Sequence, residues 1–386
     1  MREKRLAELM QRYPAISDLQ QKALKRIPHL AREYLESGTG DEVAVARNLE
    51  RMAAVTLIPR LLKGELKPDI ATSLFGQPYQ APFGIAPVGL SGLMWARSEC
   101  ILAATAARYA IPYCLSTVAT QTPETIGPIA GDMGWFQLYS PRERDIRQDL
   151  LQRARESGFK TLVVTVDTPM PSRRERVTRA GLRMPPRITP RFVCEALRHP
   201  RWTLATLRAG LPKLRAMEKY AKSTRMATTA SFVEERIGGT LCWDYLKEVR
   251  DEWQGPLLAK GIQDPADAEI AVQIGIDAIQ VSNHGARQLD AIPAALDLLP
   301  AIADQVQGRT KILFDSGIRS GLDIVRALAL GADFVFLGRA FIYGVAALAE
   351  YGKDHTIEIL REDLKNNMAQ LGCATLAEIA TQHRQH

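Results

Sequence analysis

Eight short apolar runs recur along this chain, and their spacing constrains its fold more than any other feature. They occupy residues 83–86, 113–116, 135–138, 162–166, 256–259, 278–281, 311–314 and 334–337. Each is followed by a polar or glycine-rich tip and then a helical pattern. Most gaps hold roughly two dozen residues, enough for one helix and two loops. Helical patterns fill residues 99–110, 144–157, 265–275 and 321–330, and Gly275 and Gly331 stand where helices should stop. Repeated strand–helix units predict an α/β fold, a parallel (β/α)8 TIM barrel. The barrel is expected over residues 81–350. A helical cap over 1–80 precedes it, with helical patterns at 2–12, 18–26 and 28–35, and a helical segment over 351–386 follows. The rival dinucleotide-binding fold fails on its motif. Gly38-Thr-Gly40 lacks the third glycine, and no strand precedes it.

One gap, from residue 168 to 255, is far longer than the rest. It places an insertion at about 172–240 after strand four, on the face where barrel enzymes keep their chemistry. Charge marks the same segment. Residues 173–225 hold fifteen Lys/Arg against Glu175, Glu195 and Glu218, a net of +12, so a total of +7 leaves −5 for the remainder. The chain is therefore a mildly acidic body with one basic segment. That pattern disfavours nucleic acid as the partner of the whole domain and favours a local anionic partner such as a membrane surface.

The other totals are those of an ordinary globular protein. Of 386 residues, 46% are hydrophobic and 24% charged. No apolar run reaches the ~18 residues of a membrane span. The charged start Met1-Arg-Glu-Lys-Arg lacks an apolar signal core. A cytoplasmic protein, peripheral on the inner membrane face at most, is expected. Five scattered cysteines (Cys100, Cys114, Cys194, Cys242, Cys373) form no CxxC pair and read as reduced thiols without a metal site.

Chemistry-bearing side chains gather at the strand tips. Strand one ends in Pro87-Val88-Gly89, where a glycine lets a flat ligand approach the backbone. Strand two ends in Ser116, strand three supplies Gln137 and Tyr139, and strand four supplies Thr165, Asp167 and Arg174. Strand five ends in Lys260, and strand six in Ser282-Asn283-His284-Gly285-Ala286-Arg287. His284 can take a proton near neutral pH, and Arg287 can clamp a carboxylate with two hydrogen bonds. Together they point to deprotonation of something on a small carboxylic acid. Asp167 either orients His284 or caps a turn within Asp-Thr-Pro. Lys260 reads as a Schiff-base lysine, a cation beside an anionic ring, or a solvated rim residue. Strands seven and eight end in Asp315-Ser-Gly317-Ile-Arg319 and Gly338-Arg339, the recurrent phosphate position of barrels. No histidine pair has zinc-ligand spacing.

Taken in order, SNHGARQ, TVDTP followed by RRE, QLY, LLAKG, DSGIRSG and LGR resemble one family over nearly the whole chain. It is that of the FMN-dependent L-2-hydroxy acid oxidases and dehydrogenases, the group of glycolate oxidase, quinone-type L-lactate dehydrogenase and mandelate dehydrogenase. The resemblance implies FMN as cofactor and His284 as general base, paired with Asp167. It implies Arg174 and Arg287 on the substrate carboxylate and Tyr139 near its hydroxyl. Lys260 would face the N1/O2 edge of the flavin. Pro87, Val88, Gly89, Ser116, Gln137 and Thr165 would meet its ring, with Ser282 among the cofactor contacts. Asp315, Gly317, Arg319, Gly338 and Arg339 would hold the ribityl chain and phosphate.

The resemblance carries further expectations. Where relatives carry a substrate-binding tyrosine in the N-terminal segment, this chain is expected to place Arg32, with Tyr34 two residues on and turned elsewhere. Arg32 would recharge the carboxylate end of the pocket and suit a second acidic group or another unusual substrate. Gly89 is more typical of dehydrogenases than of oxidases, so a quinone or another carrier is expected to take the electrons in preference to oxygen. The basic insertion corresponds to a segment that docks to the membrane in the mandelate dehydrogenase type. Phe192, Val193, Leu197, Trp202, Leu204, Leu207 and Leu211 alternate there with Arg191, Arg198, Arg201, Arg208 and Lys213. That reads either as an amphipathic surface helix or as a solvated lid. The family implies tetramers. Competing readings are an FMN-using oxidase that makes hydrogen peroxide, another FMN or phosphate-binding barrel such as an isomerase, and a non-catalytic binding protein.

Overall fold

Each apolar run becomes a strand buried along nearly its whole length, because one face lines a barrel and the other meets helices. In the computed structural model, which describes residues 2–182, 189–223, 233, 235–238 and 241–382, the strands are β1 (Phe83–Ile85), β2 (Tyr113–Ser116), β3 (Gly134–Leu138), β4 (Thr161–Thr165), β5 (Leu257–Ile262), β6 (Ala278–Val281), β7 (Lys311–Phe314) and β8 (Phe334–Leu337). All neighbours are parallel, and β8 pairs with β1 to close the barrel. The fold is thus a (β/α)8 TIM barrel. Of all these strand residues only Lys311 is exposed.

Local signals set the helices between them. Asp264, Ser320 and Thr122 each cap a helix by accepting a backbone N–H, and Pro265 and Pro123 occupy first-turn positions. The helices Pro265–Gln273 and Gly321–Ala329 end just ahead of Gly275 and Gly331.

The two ends of the barrel are closed differently. At the amino ends of the strands, Trp135, Leu258, Leu313, Phe334 and Phe336 fill the interior, and a hairpin (Thr72–Leu74 with Gln77–Tyr79) plugs it with Leu74 and Tyr79. Trp135 Nε1 donates to the Tyr79 hydroxyl at 3.2 Å, and its ring lies 5.1 Å from Phe336. The helical patterns of the N-terminal region had not indicated this hairpin. That region also forms four helices, α1 (Arg2–Arg12), α2 (Ile16–Arg26), α3 (His29–Glu36) and α4 (Val43–Ala54). Here α2 packs on the helix that follows β8. The carbonyls of Tyr34 and Leu35 in α3 receive arginines from three strand tips, so α3 lies across the carboxyl end, where the polar groups gather.

The insertion after β4 includes helices at Glu175–Arg179, Pro190–Arg198, Pro200–Ala209 and Glu218–Ser223. Residues 183–188 and 224–225 of its basic stretch fall outside the described residues. The single amphipathic helix read from the sequence is two helices that meet at His199, because Pro200 opens a new first turn. Trp202 does not belong to its exposed face. It is 3% exposed, and its indole N–H donates to the Leu93 carbonyl at 2.9 Å. The exposed apolar residues are Val193, Leu197, Leu204, Leu207 and Leu211. Among the described residues, no helix is long and apolar enough to cross a membrane.

Candidate active site

The tips of β4, β5 and β6 meet around one buried carboxylate. Asp167 Oδ1 lies 2.8 Å from His284 Nδ1, and Oδ2 lies 3.9 Å from Lys260 Nζ. Gly261 makes this approach possible. Its φ is +110°, and a Cβ there would sit 2.6 Å from Asp167 Cβ. On the other side, Lys260 Nζ donates to Ser282 Oγ at 3.0 Å and pairs with Asp315 Oδ2 at 3.3 Å. Ser282 Oγ donates to Asp315 Oδ1 at 2.5 Å, and Gln280 Nε2 donates to Oδ2 at 2.6 Å. The chain Asp167–Lys260–Asp315 thus alternates in sign.

Electrostatics follow from that arrangement. Burial alone would raise the Asp167 pKa, but His284 and Lys260 outweigh it and hold the carboxyl below the ordinary aspartate value. Burial alone would lower the Lys260 pKa, but Asp315 and Asp167 outweigh it and raise it. Both groups are therefore charged at neutral pH. The stabilisation carried by Asp167 is present above an ordinary aspartate pKa and is lost as pH falls through its depressed one. That carried by Lys260 is lost as pH rises through its raised one.

The far ring nitrogen of His284 completes the proton-handling group. Nε2 is 3.3 Å from the Tyr139 hydroxyl, whose own pKa is raised by burial and by Asp167. His284 itself has a φ of +56°, a strained setting for a residue with a Cβ.

Two guanidiniums converge on α3. Arg174 Nη2 and Arg287 Nη2 both donate to the Tyr34 carbonyl, at 3.0 and 2.8 Å. Their guanidinium carbons lie 4.6 and 5.1 Å from the centre of the Tyr34 ring. The Tyr34 hydroxyl donates to the Gly89 carbonyl at 3.0 Å. Tyr34, not Arg32, lines the cleft. The expectation for Arg32 is thereby overturned, and with it the recharged pocket. The reason is helix phase. Ile27, Ala31 and Leu35 form the buried stripe just before and along α3. Tyr34 and Arg32 flank that stripe on opposite sides.

The cleft has about 1000 Å³ of empty volume including its open mouth. Of the residues singled out in the sequence, Pro87, Val88, Gly89, Tyr139, Thr165, Arg174, Lys260, His284, Arg287, Asp315, Gly317, Arg319, Gly338 and Arg339 line it. Asp167, Ser116, Gln137 and Ser282 stand behind this wall. Ser116 Oγ donates to Gln137 Oε1 at 3.1 Å, and Gln137 Nε2 donates to Thr165 Oγ1 at 2.9 Å. Met94, Val118 and Phe336 also line the cleft and had no sequence signal, since each reads as ordinary core.

At the other end of the cleft, Arg319 and Arg339 face one pocket. The pKa of Arg339 is lowered to about 10, by burial first and then by Arg319. An anion between them would relieve that repulsion. Helix Arg339–Leu348 also begins directly at the β8 tip, which leaves its first N–H groups for an acceptor.

A cleft with paired cations at both ends and a buried proton-handling group between them is that of a barrel enzyme holding a small acid beside a phosphorylated cofactor. The sequence profile of the FMN-dependent dehydrogenase family matches residues 23–386, and the chain belongs to that family. Curated relatives include an L-lactate dehydrogenase from Ectopseudomonas mendocina (strain ymp), 39% identical over 369 residues, covering 95% of this chain and 97% of the relative. Another L-lactate dehydrogenase, from Alcaligenes faecalis, is 38% identical over 368 residues, with 95% and 97% covered. Among solved structures, that of the monotopic membrane protein (S)-mandelate dehydrogenase superposes with a TM-score of 0.90 at 31% identity, covering 96% of this chain and 98% of that one. A mandelate oxidase superposes with a TM-score of 0.81 at 28% identity, covering 95% and 97%.

The chain is an FMN-dependent 2-hydroxy acid dehydrogenase/oxidase. Its residues fit the cofactor. The arginine pair suits the phosphate, and the buried Lys260 ammonium suits an electron-rich ring edge. Gly89 keeps one wall flat, because a Cβ there would lie 2.7 Å from Val118 Cγ2. Arg339→Ala is expected to purify with markedly less flavin than the parent, read from the ratio of visible to ultraviolet absorbance. Full flavin content in that variant would contradict the phosphate assignment.

Proposed function

We propose that the chain oxidises a small L-2-hydroxy monocarboxylate to its 2-oxo acid, with His284 as the general base. The observation that carries this reading is the His284 ring, held by Asp167 on one nitrogen and open toward Tyr139 and the cleft on the other. Arg174 and Arg287 clamp the substrate carboxylate, which takes over from the Tyr34 carbonyl as their acceptor, and Tyr34 closes that end of the pocket. His284 Nε2 accepts the hydroxyl proton, and the ionised Asp167 stabilises the imidazolium that results. Tyr139 donates a hydrogen bond at the same oxygen.

FMN supplies the two-electron acceptor. Lys260 would offer a buried positive charge to its electron-rich ring edge. Pro87, Val88 and Gly89, with Thr165 backed by Gln137 and Ser116, shape the ring pocket. Asp315, held by Ser282 and Gln280, and Gly317, Arg319, Gly338 and Arg339 hold the ribityl phosphate. L-Lactate, the substrate in the names of the curated relatives, is the first candidate. Gly89 favours a quinone or another carrier over oxygen as the final acceptor.

The insertion supports peripheral contact with an anionic membrane face. Leu197 and Leu207 are 75% and 73% exposed, and Arg198, Arg201 and Arg208 are exposed on the same pair of helices. Apolar side chains that enter the headgroup boundary, rimmed by arginines, suit such a surface.

Three outcomes are expected. His284→Ala stays yellow but reduces its flavin about 10²- to 10⁴-fold more slowly in anaerobic stopped flow; an unchanged rate would remove His284 as the base. Substrate-reduced enzyme is reoxidised faster by a soluble quinone than by air-saturated buffer, whereas rapid peroxide formation would assign it to the oxidases. Leu197→Glu with Leu207→Glu abolishes co-sedimentation with vesicles containing phosphatidylglycerol. Equal binding by parent and variant, or no binding by the parent, would refute the membrane reading.

A further inference from the structure

The turn that carries His284 is left-handed over three successive residues. His284, Gly285 and Ala286 have φ of +56°, +62° and +61°. Two of them bear a Cβ, which the left-handed region disfavours. Such a turn persists only where its surroundings over-determine it. Part of the restraint is local: Ser282 Oγ accepts from the His284 N–H at 3.0 Å, and Ser316 Oγ accepts from the Gly285 N–H at 3.1 Å.

The rest comes from the N-terminal cap, more than two hundred residues away in sequence. Asn48 on α4 and Asn283 form a reciprocal amide pair, 4% and 1% exposed. Asn48 Nδ2 donates to Asn283 Oδ1 at 3.0 Å, and Asn283 Nδ2 donates to Asn48 Oδ1 at 2.7 Å. Each amide is also tied to the loop around it. Asn283 Oδ1 accepts from the Ala286 N–H at 3.2 Å, beside the 2.9 Å bond from the same N–H to the Asn283 carbonyl that closes the turn. Asn283 Nδ2 donates to the Pro293 carbonyl at 3.1 Å, and Asn48 Oδ1 accepts from the Ala295 N–H at 3.3 Å. The backbone of α4 touches the neighbouring tip as well, since a Cβ on Gly317 would lie 3.2 Å from the Asn48 carbonyl oxygen.

We infer that Asn48 is a positioning residue for the reaction: through Asn283 it holds the left-handed turn that sets His284 against Asp167 and Tyr139. The inference rests on the proposed role of His284 as base. Asn48 touches neither the cleft nor the ring. Its removal takes one of two partners from each of Asn283 Oδ1 and Nδ2, leaving only the Ala286 and Pro293 bonds, and the turn can relax toward ordinary backbone angles. His284 then drifts from the Asp167 carboxylate, with Lys260 still paired to Asp315 and Arg339, which also touches the turn at the Gly285 carbonyl, still anchored on the Leu35 carbonyl of α3. A displacement of the base by about 1 Å can slow the reaction as much as ~100-fold.

The test compares holoenzyme of the parent, Asn48→Ala, Asn48→Ser and His284→Ala, with L-lactate or whichever L-2-hydroxy acid reduces the parent. Expected for Asn48→Ala are a kcat lower by about 10- to 100-fold, with KM and flavin content close to the parent's. Asn48→Ser retains a hydrogen-bonding group on a shorter stem. It should fall between parent and alanine variant, and it gives the readout if the alanine variant does not fold. Parent-like kcat, even with a lower Tm, would reduce Asn48 to a structural tie and overturn the inference. Loss of kcat in proportion to loss of flavin would overturn it too, by moving the role to the cofactor cradle. An undiminished His284→Ala would sink the base assignment itself, a separate failure.

Discussion

The Asp167 carboxylate, 3% exposed between His284 and Lys260, is the constraint on which the rest of the site depends. A buried carboxylate costs several kcal/mol in desolvation, and only well-placed partners offset it. Here the partners come from two other strands, and a third, β7, supplies Asp315 to balance Lys260. No local stretch of chain could assemble this. A closed parallel barrel can, because it brings successive carboxyl ends into one ring. The demand reaches into the backbone. Gly261 must lack a Cβ for Asp167 to fit, and His284 must accept a left-handed φ to aim its ring.

The two ends of the cleft divide the labour by charge. Arg174 and Arg287 wait on a backbone carbonyl, an acceptor that a carboxylate readily displaces because it carries full charge. Arg319 and Arg339 repel each other across a pocket at the start of a helix, a setting that suits an anion rather than a neutral group. Between them, the alternating chain of Asp167, Lys260 and Asp315 keeps a fixed positive charge under the cleft and a fixed negative charge behind the His284 ring.

Much of this was legible in the sequence, for a physical reason. Barrel strands are short, apolar and evenly spaced, so their tips can be counted, and a histidine or lysine at a tip has few other reasons to be there. The eight runs matched the eight strands to within a residue or two at their edges, except that β5 extends to Ile262. Other features were not legible. The hairpin that plugs the barrel lies in a Pro- and Gly-containing stretch without the alternation of a longer strand. Tyr34 was misplaced because a helix of eight residues, little more than two turns, gives little phase information unless the buried stripe is located first. Trp202 read as a surface aromatic because it sits among exposed leucines and arginines, and only its tertiary partner, the Leu93 carbonyl, explains its burial. Asn48 carried no signal at all, since a lone asparagine within a helix is unremarkable until its partner is known.

The most direct test of the account is an anaerobic titration of the purified protein with the two enantiomers of lactate, followed by its visible spectrum. The account predicts a yellow protein whose flavin absorbance is bleached stoichiometrically by L-lactate or a close L-2-hydroxy monocarboxylate, and not by the D form. A yellow protein that no L-2-hydroxy monocarboxylate bleaches, or one bleached equally by both enantiomers, would contradict it.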